Sequence, residues 1–127
     1  MPIRLEAATP QFTVPDVVRT AEYYRDVLGF DIAGYWGEPP EFVIVSRDLV
    51  ELFFNRADQS EVRTGRAAGA YDAYIRVAAV DDLASELRTH GAEILEGPED
   101  RVYGQRELVI RDCNGLILAF GEELRTA

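Results

Sequence analysis

The sequence predicts an α+β fold built from two successive β-α-β-β-β modules. Three observations predict it. A stretch of helical period flanked by strands of period two occurs twice in the same order. The two halves echo one another, VLGFDIAG against THGAEILEG and FVIVSRD against LVIRD, as an internal duplication would. The chain also closes on two apolar segments, Glu107 to Arg111 and Leu116 to Gly121, joined by Asp112-Cys113-Asn114-Gly115. Asn-Gly is a strong hairpin signal because both residues tolerate positive φ.

The first module spans about 7–56. Thr9 to Val14 alternates, with Phe12 and Val14 on one side and Thr9, Gln11 and Thr13 on the other, the period of a half-buried strand. Pro15 ends the ladder because it has no N–H to donate. Asp16 is placed to N-cap a helix running to Leu28, with Val17, Ala21, Tyr24 and Leu28 at helical spacing. Gly29 supplies the left-handed stop. Strands follow at Asp31 to Trp36, Glu41 to Ser46 and Val50 to Asn55, separated by Gly37, Pro39, Pro40 and an Arg47-Asp48 turn.

A polar, aperiodic segment from Arg56 to Ala70 reads as a linker. The second module, about 71–122, opens with a strand at Ala73 to Val77. A helix at Val80 to His90 follows, with Leu83 and Leu87 inward and Asp81 and Asp82 in the first turn, where the helix dipole favours them. Gly91 stops it, and a strand near Ala92 to Leu95, a loop with Gly97 and Pro98, and the hairpin complete the unit.

Alternation assigns the strand faces. Phe12, Val14, Val50, Leu52, Phe54, Ile75, Val77, Leu118 and Phe120 pack under the helices. The opposite face collects Thr9, Gln11, Thr13, Glu51, Phe53, Asp72, Tyr74, Arg76, Ile117 and Ala119. That face is too polar for a second core, so it meets bulk water or lines a wet pocket.

Bulk properties narrow the function. A chain of 127 residues with 47% hydrophobic content forms one compact domain with a real core. No apolar run reaches a membrane span, and MPIRLEAATP lacks a signal-peptide core. A cytoplasmic protein is expected. One cysteine, Cys113, excludes an internal disulfide, and with no basic or histidine neighbour in sequence it reads as inert. A formal charge of −10 disfavours nucleic acid and anionic membranes and attracts cationic small molecules. No triad, phosphate loop or nucleotide fingerprint occurs.

The order and spacing of FTVPDVVRTAEYYRDVLGF, VELFF, AYIRVAAVDDLASELRTHGAEI and the closing YGQRELVIRDCNGLILAFGE resemble the vicinal-oxygen-chelate superfamily of glyoxalases, extradiol dioxygenases and bleomycin resistance proteins. The resemblance implies that two β-α-β-β-β modules pair so that mixed sheets curve around one cavity, helices outside. A second subunit often completes that cavity, so a homodimer, module-swapped or not, is implied. Metalloenzymes of the family carry one ligand in each of four cavity strands. The matching positions here are Thr9, Glu51, Asp72 and Ala119. Only Glu51 is the usual residue, and Ala119 has no donor atom, so the resemblance implies no metal and no cofactor.

Tyr103-Gly104, Arg106-Glu107-Leu108 and Arg111-Asp112 to Gly115 resemble the closing signature of the bleomycin resistance proteins. Those proteins sequester a bulky cationic glycopeptide without chemistry. Two positions depart from that signature, Tyr103 in place of Trp and Cys113 in place of Pro. The implied function is metal-free binding of a cationic or aromatic, antibiotic-like compound. The competing reading is an enzyme of the same fold, a lyase, isomerase or dioxygenase, using a non-standard metal site or a carboxylate base.

The candidate ligand-binding residues are Tyr35, Trp36, Glu51, Phe53, Asp72, Tyr74, Arg76, Tyr103 and Arg106. Exposed aromatics at Tyr35, Trp36 and Tyr103 either stack on a planar ligand or form dimer contacts. Glu51 and Asp72 either meet a cation or ligand amine, or pair with Arg76. Arg106 and Glu107 read by default as a structural pair.

Overall fold

A computed structural model describes residues 1–58 and 69–125. Most of the expected linker, 59–68, lies outside the described residues. The elements, in order, are β1 (Gln11–Val14), α1 (Val17–Asp26), β2 (Asp31–Trp36), β3 (Phe42–Arg47) and β4 (Val50–Arg56), then β5 (Ala73–Arg76), α2 (Val80–Thr89), β6 (Glu93–Asp100), β7 (Gln105–Arg111) and β8 (Ile117–Glu123). They form two four-stranded mixed sheets, ordered β1-β4-β3-β2 and β5-β8-β7-β6. In each sheet the first strand pairs in parallel with the last, and the remaining pairs are antiparallel.

Local signals account for the helix ends. The Asp16 carboxylate accepts the Arg19 N–H at 3.0 Å and caps α1. Gly29 and Gly91 follow their helices with φ of +75° and +84°, conformations that cost other residues a Cβ clash. Helix α2 starts differently. Ala79 offers no side-chain cap, and Glu122 reaches from β8 to accept the Val80 N–H at 2.8 Å.

The hairpin forms with longer strands than expected. Of its turn residues, only Gly115 adopts positive φ, +84°. Asp112 does the rest, its carboxylate accepting the N–H groups of Asn114 and Leu116 at 2.8 and 2.9 Å, an Asx turn rather than a two-residue reversal.

The expected Gly97-Pro98 loop is instead part of β6. The strand continues through both residues to Asp100, with register shifts between Ile94 and Glu96 and between Glu96 and Glu99. A bulge tolerates the missing proline donor. Gly97 has φ +82°, and a Cβ there would overlap the Glu107 carbonyl oxygen.

The helix-side faces of both sheets share one continuous core, including Val14, Tyr24, Leu52 and Phe54 from the first module and Ile75, Leu87, Leu108, Leu118 and Phe120 from the second. Polar contacts also tie the modules. Tyr24 Oη donates to Asp112 Oδ2 at 2.6 Å, Asn114 Nδ2 donates to Thr20 Oγ1 at 2.8 Å, and Arg47 binds both oxygens of Glu86 at 2.6 and 3.0 Å.

The second face is more apolar than expected. On the second sheet, buried Val109, Ile117 and Ala119 form a small apolar cluster beneath Tyr71 and Leu95. On the first, Phe42 and Phe53 pack ring against ring. Val109 of β7, Leu95 of β6 and Phe42 of β3 are strand residues that the alternation does not place on that face.

Candidate functional site

The open faces of the two sheets meet along a groove of about 460 Å³ lined by Thr9, Glu51, Tyr74 and Arg76, among others. Period two places Glu51, Tyr74 and Arg76 there, because each lies one position away from a core residue on its strand, while Thr9 precedes β1. Three candidate ligand-binding residues, Glu51, Tyr74 and Arg76, and the family metal position Thr9 thus line one space. Among the described residues Arg76 makes no ion pair, so the expected salt bridge to Glu51 or Asp72 is absent. The Asp72 carboxylate instead accepts the backbone N–H of Ile117 at 2.8 Å.

On the second sheet, the centre of the open face is Glu107, whose side chain has no solvent exposure. Tyr74 Oη donates to its Oε2 at 2.7 Å, and Tyr103 Oη and Arg101 Nε donate to Oε1 at 2.5 and 3.0 Å. Burial alone would raise the Glu107 carboxyl. The bonds from Tyr103, Tyr74 and Arg101 outweigh it and hold the group below its ordinary value, as expected when donors favour the charged form. The reciprocal effect appears on the phenols. Tyr103 is pushed up to about 12, first by its bond to Glu107, and Tyr74 is raised first by burial and then by the same carboxylate. Arg101 also binds Glu99 at 2.5 Å and Glu96 at 3.4 Å, so one guanidinium serves three carboxylates.

Glycine makes room for this arrangement. Gly121 lies opposite Glu107 in the β7–β8 ladder, and a Cβ on it would overlap the Tyr74 hydroxyl. Any side chain at 121 would displace the phenol from the carboxylate.

The first sheet contributes an aromatic row. Trp36 and Phe42 have ring centroids 5.5 Å apart, and Phe42 and Phe53 are 5.4 Å apart, spacings typical of favourable aromatic pairs. Trp36 lies across Gly34, where a Cβ would come within 3.0 Å of the indole, and it stays half exposed at 51%. Phe53 and Glu51 occupy the same face of β4, so the row runs toward the groove.

Two predicted residues lie elsewhere. Tyr35 pairs with core-facing Val43 and sits on the helix side, where burial and then the charge of Glu22 raise its hydroxyl. Arg106 points to the helix side of β7 and binds Asp81 at 3.0 Å and Asp100 at 2.9 Å. The expected Arg106–Glu107 pair is therefore not formed, because neighbours on a strand face opposite ways. His90 ends α2, exposed, with Nδ1 2.9 Å from the Glu86 carbonyl oxygen. Burial pushes the Cys113 thiol up to about 11, so it is a poor nucleophile.

Sequence reasoning missed Glu107 and Arg101. A signal was present for the first. Glu107 is a charge inside the apolar run ELVI, in phase with Val109 rather than with Leu108 and Ile110.

The metal positions of the family do not fit an ion here. Ala119 is fully buried and bears no donor, and one Asp72 oxygen is engaged by a backbone N–H. Among the described residues no three His, Cys, Asp or Glu side chains gather in a metal-binding arrangement. No helix among them is long and apolar enough to cross a membrane.

Comparison with known proteins agrees with this geometry. Virulence protein STM3117 of Salmonella typhimurium is 25% identical over 114 residues, covering 87% of this chain and 78% of that protein. The crystal structure of TioX from Micromonospora sp. ML1 superposes with a TM-score of 0.75 at 16% identity, covering 94% of this chain and 99% of that one. The bleomycin-binding protein of Streptomyces verticillus, complexed with copper(II)-bleomycin, gives a TM-score of 0.72 at 23% identity, covering 98% of this chain and 100% of that one. The model of the glyoxalase/bleomycin resistance protein/dioxygenase superfamily matches residues 7–120, and the chain belongs to that superfamily.

Proposed function

We propose that this protein binds a small planar compound, cationic or aromatic, without metal and without chemistry, as a homodimer that can exchange modules. The observation that carries the reading is the half-exposed aromatic row Trp36–Phe42–Phe53 running toward the groove of Glu51, Tyr74 and Arg76. Aromatic faces left open to water favour stacking on a planar ligand. The bleomycin-binding relatives of this fold take a bulky ligand, and the net charge of −10 favours a cationic one. Exposed Trp36, Tyr74 and Tyr103 are also the kind of surface a second subunit would cover, which supports the dimer.

The enzyme reading rests on a carboxylate base or a non-standard metal site. Glu107 is a poor base because three donors already engage it, which leaves Glu51, exposed on the groove. Metal analysis of the purified protein tests the choice. Stoichiometric Mn, Fe, Ni or Zn that disappears in Glu51→Ala overturns the binding reading. Metal-free protein that gives saturable protection against a bleomycin-type drug, and loses this in Trp36→Ala, supports it.

A further inference from the structure

We infer that Tyr74 and Tyr103 form an acceptor-only clamp, so that the site selects planar ligands by their N–H donors. This rests on the binding reading above and names the ligand chemistry it requires. A phenol has one proton to donate and lone pairs to accept with. Both protons are directed at Glu107, which takes Tyr74 on Oε2 at 2.7 Å and Tyr103 on Oε1 at 2.5 Å, with Gln105 Oε1 a more distant second acceptor for Tyr74 at 3.5 Å. The carboxylate has no solvent exposure, so no ligand competes for it directly. The phenols themselves are exposed, at 41% for Tyr74 and 60% for Tyr103. With those protons engaged, any part of either hydroxyl that a ligand reaches offers oxygen lone pairs, not a donor.

Three features hold them in that state. Arg101 braces Glu107 from the side, with its other donors turned to Glu99 and Glu96. Gly121 leaves the space that the Tyr74 hydroxyl occupies. Tyr71 packs near Tyr74, their centroids 6.4 Å apart.

Charge alone does not set the preference. Arg76 lies on the same strand face as Tyr74, two residues away, and shares the groove with Glu51. With Arg101, two guanidinium groups stand against the four carboxylates of Glu51, Glu96, Glu99 and Glu107, so cations in general are admitted and hydrogen-bond donors decide among them. A ligand satisfies this surface by placing an amino or amidino N–H on the tyrosine oxygens and an acceptor near Arg76. A quaternary or fully alkylated cation of the same shape cannot satisfy it.

Proflavine and acridine orange separate these properties. Both are planar acridinium cations that keep the ring N–H, and they differ in that proflavine adds two free amino groups as donors for the tyrosine oxygens, where acridine orange carries dimethylamino groups. Fluorescence titration of the full chain at high ionic strength is expected to show proflavine bound roughly tenfold tighter, the worth of one or two added hydrogen bonds. The ratio should fall to about one in the Tyr74→Phe/Tyr103→Phe double variant. Glu107→Gln keeps the shape if that variant fails to fold. Its amide must donate, which turns one phenol proton outward, and the ratio should drop there too. Equal affinities in the unmodified protein overturn the clamp, as does a preference that persists unchanged in a folded variant, which would come from methyl bulk. Trp36→Ala tests the underlying reading separately by weakening both dyes. If the two dyes bind equally and Trp36→Ala weakens both, the clamp fails while the binding reading stands. If neither dye saturates, both fall.

Discussion

Tyr24 Oη and Asp112 Oδ2 are 2.6 Å apart across the two modules, both groups buried. Asp112 also shapes the β7–β8 turn, so one carboxylate organises a hairpin and ties it to α1. Tyr24→Phe leaves Asp112 short of a donor in a dry site. A loss of about 1–3 kcal/mol of stability is expected, readable as a lowered midpoint in urea unfolding. A midpoint within error of the unmodified protein would show that the contact contributes nothing net.

Gly121→Ala tests the space under Tyr74. The added methyl must displace the phenol, and overpacking of this kind typically costs about 1–3 kcal/mol. The variant should melt earlier and also lose ligand affinity, since the hydroxyl no longer reaches Glu107. A variant with normal affinity would mean that Tyr74 tolerates another position.

Two carboxylates give opposite pH slopes. Glu107 is held below its ordinary value by its donors, so the unfolded chain binds its proton first. Its contribution is complete above the ordinary carboxylate range and is lost as pH falls through the lowered folded value. Asp112 is raised, first by burial. Its contribution is present below the unfolded value and is lost as pH rises through the raised one. Thermal midpoints measured from neutral to acid pH should therefore fall less steeply in Glu107→Gln than in the unmodified protein, and more steeply in Asp112→Asn. The reverse ordering would refute the assignment.

The Arg47–Glu86 pair also bridges the modules but is partly exposed, 30% and 37% by side chain. Solvent screening limits it, and Glu86→Gln should cost no more than about 1 kcal/mol, with the difference shrinking in high salt. A salt-independent loss of several kcal/mol would require a buried role that the exposure does not support.

Most of the scaffold was legible because it depends on local chemistry. Asp16 caps, Gly29 and Gly91 stop, and period two separated Leu52 and Phe54 from Glu51 and Phe53. The same rule, carried consistently into β7, would have separated Arg106 from Glu107 and found the buried carboxylate. Its partners were not legible. Arg101 follows β6, whose path depends on bulges and on Gly97 passing close to the Glu107 carbonyl, a contact between strands that no single segment announces. Gly97-Pro98 carries a loop signature and forms strand because the register shifts absorb the missing donor. Tyr35 misled for the opposite reason. It adjoins Trp36 in sequence and lies on the other face.

The cap that Glu122 supplies to α2 has a bearing on how the protein is made. On the ribosome, β5 and α2 emerge well before β8, yet among the described residues β5 has no ladder partner except β8, and the first turn of α2 takes its side-chain cap from Glu122. The second module therefore cannot complete its structure stepwise from its N-terminal end. Its start waits some forty residues for its finish, a delay that long-range pairing imposes on any nascent chain. The first module, capped by its own Asp16, carries no such dependence for its helix.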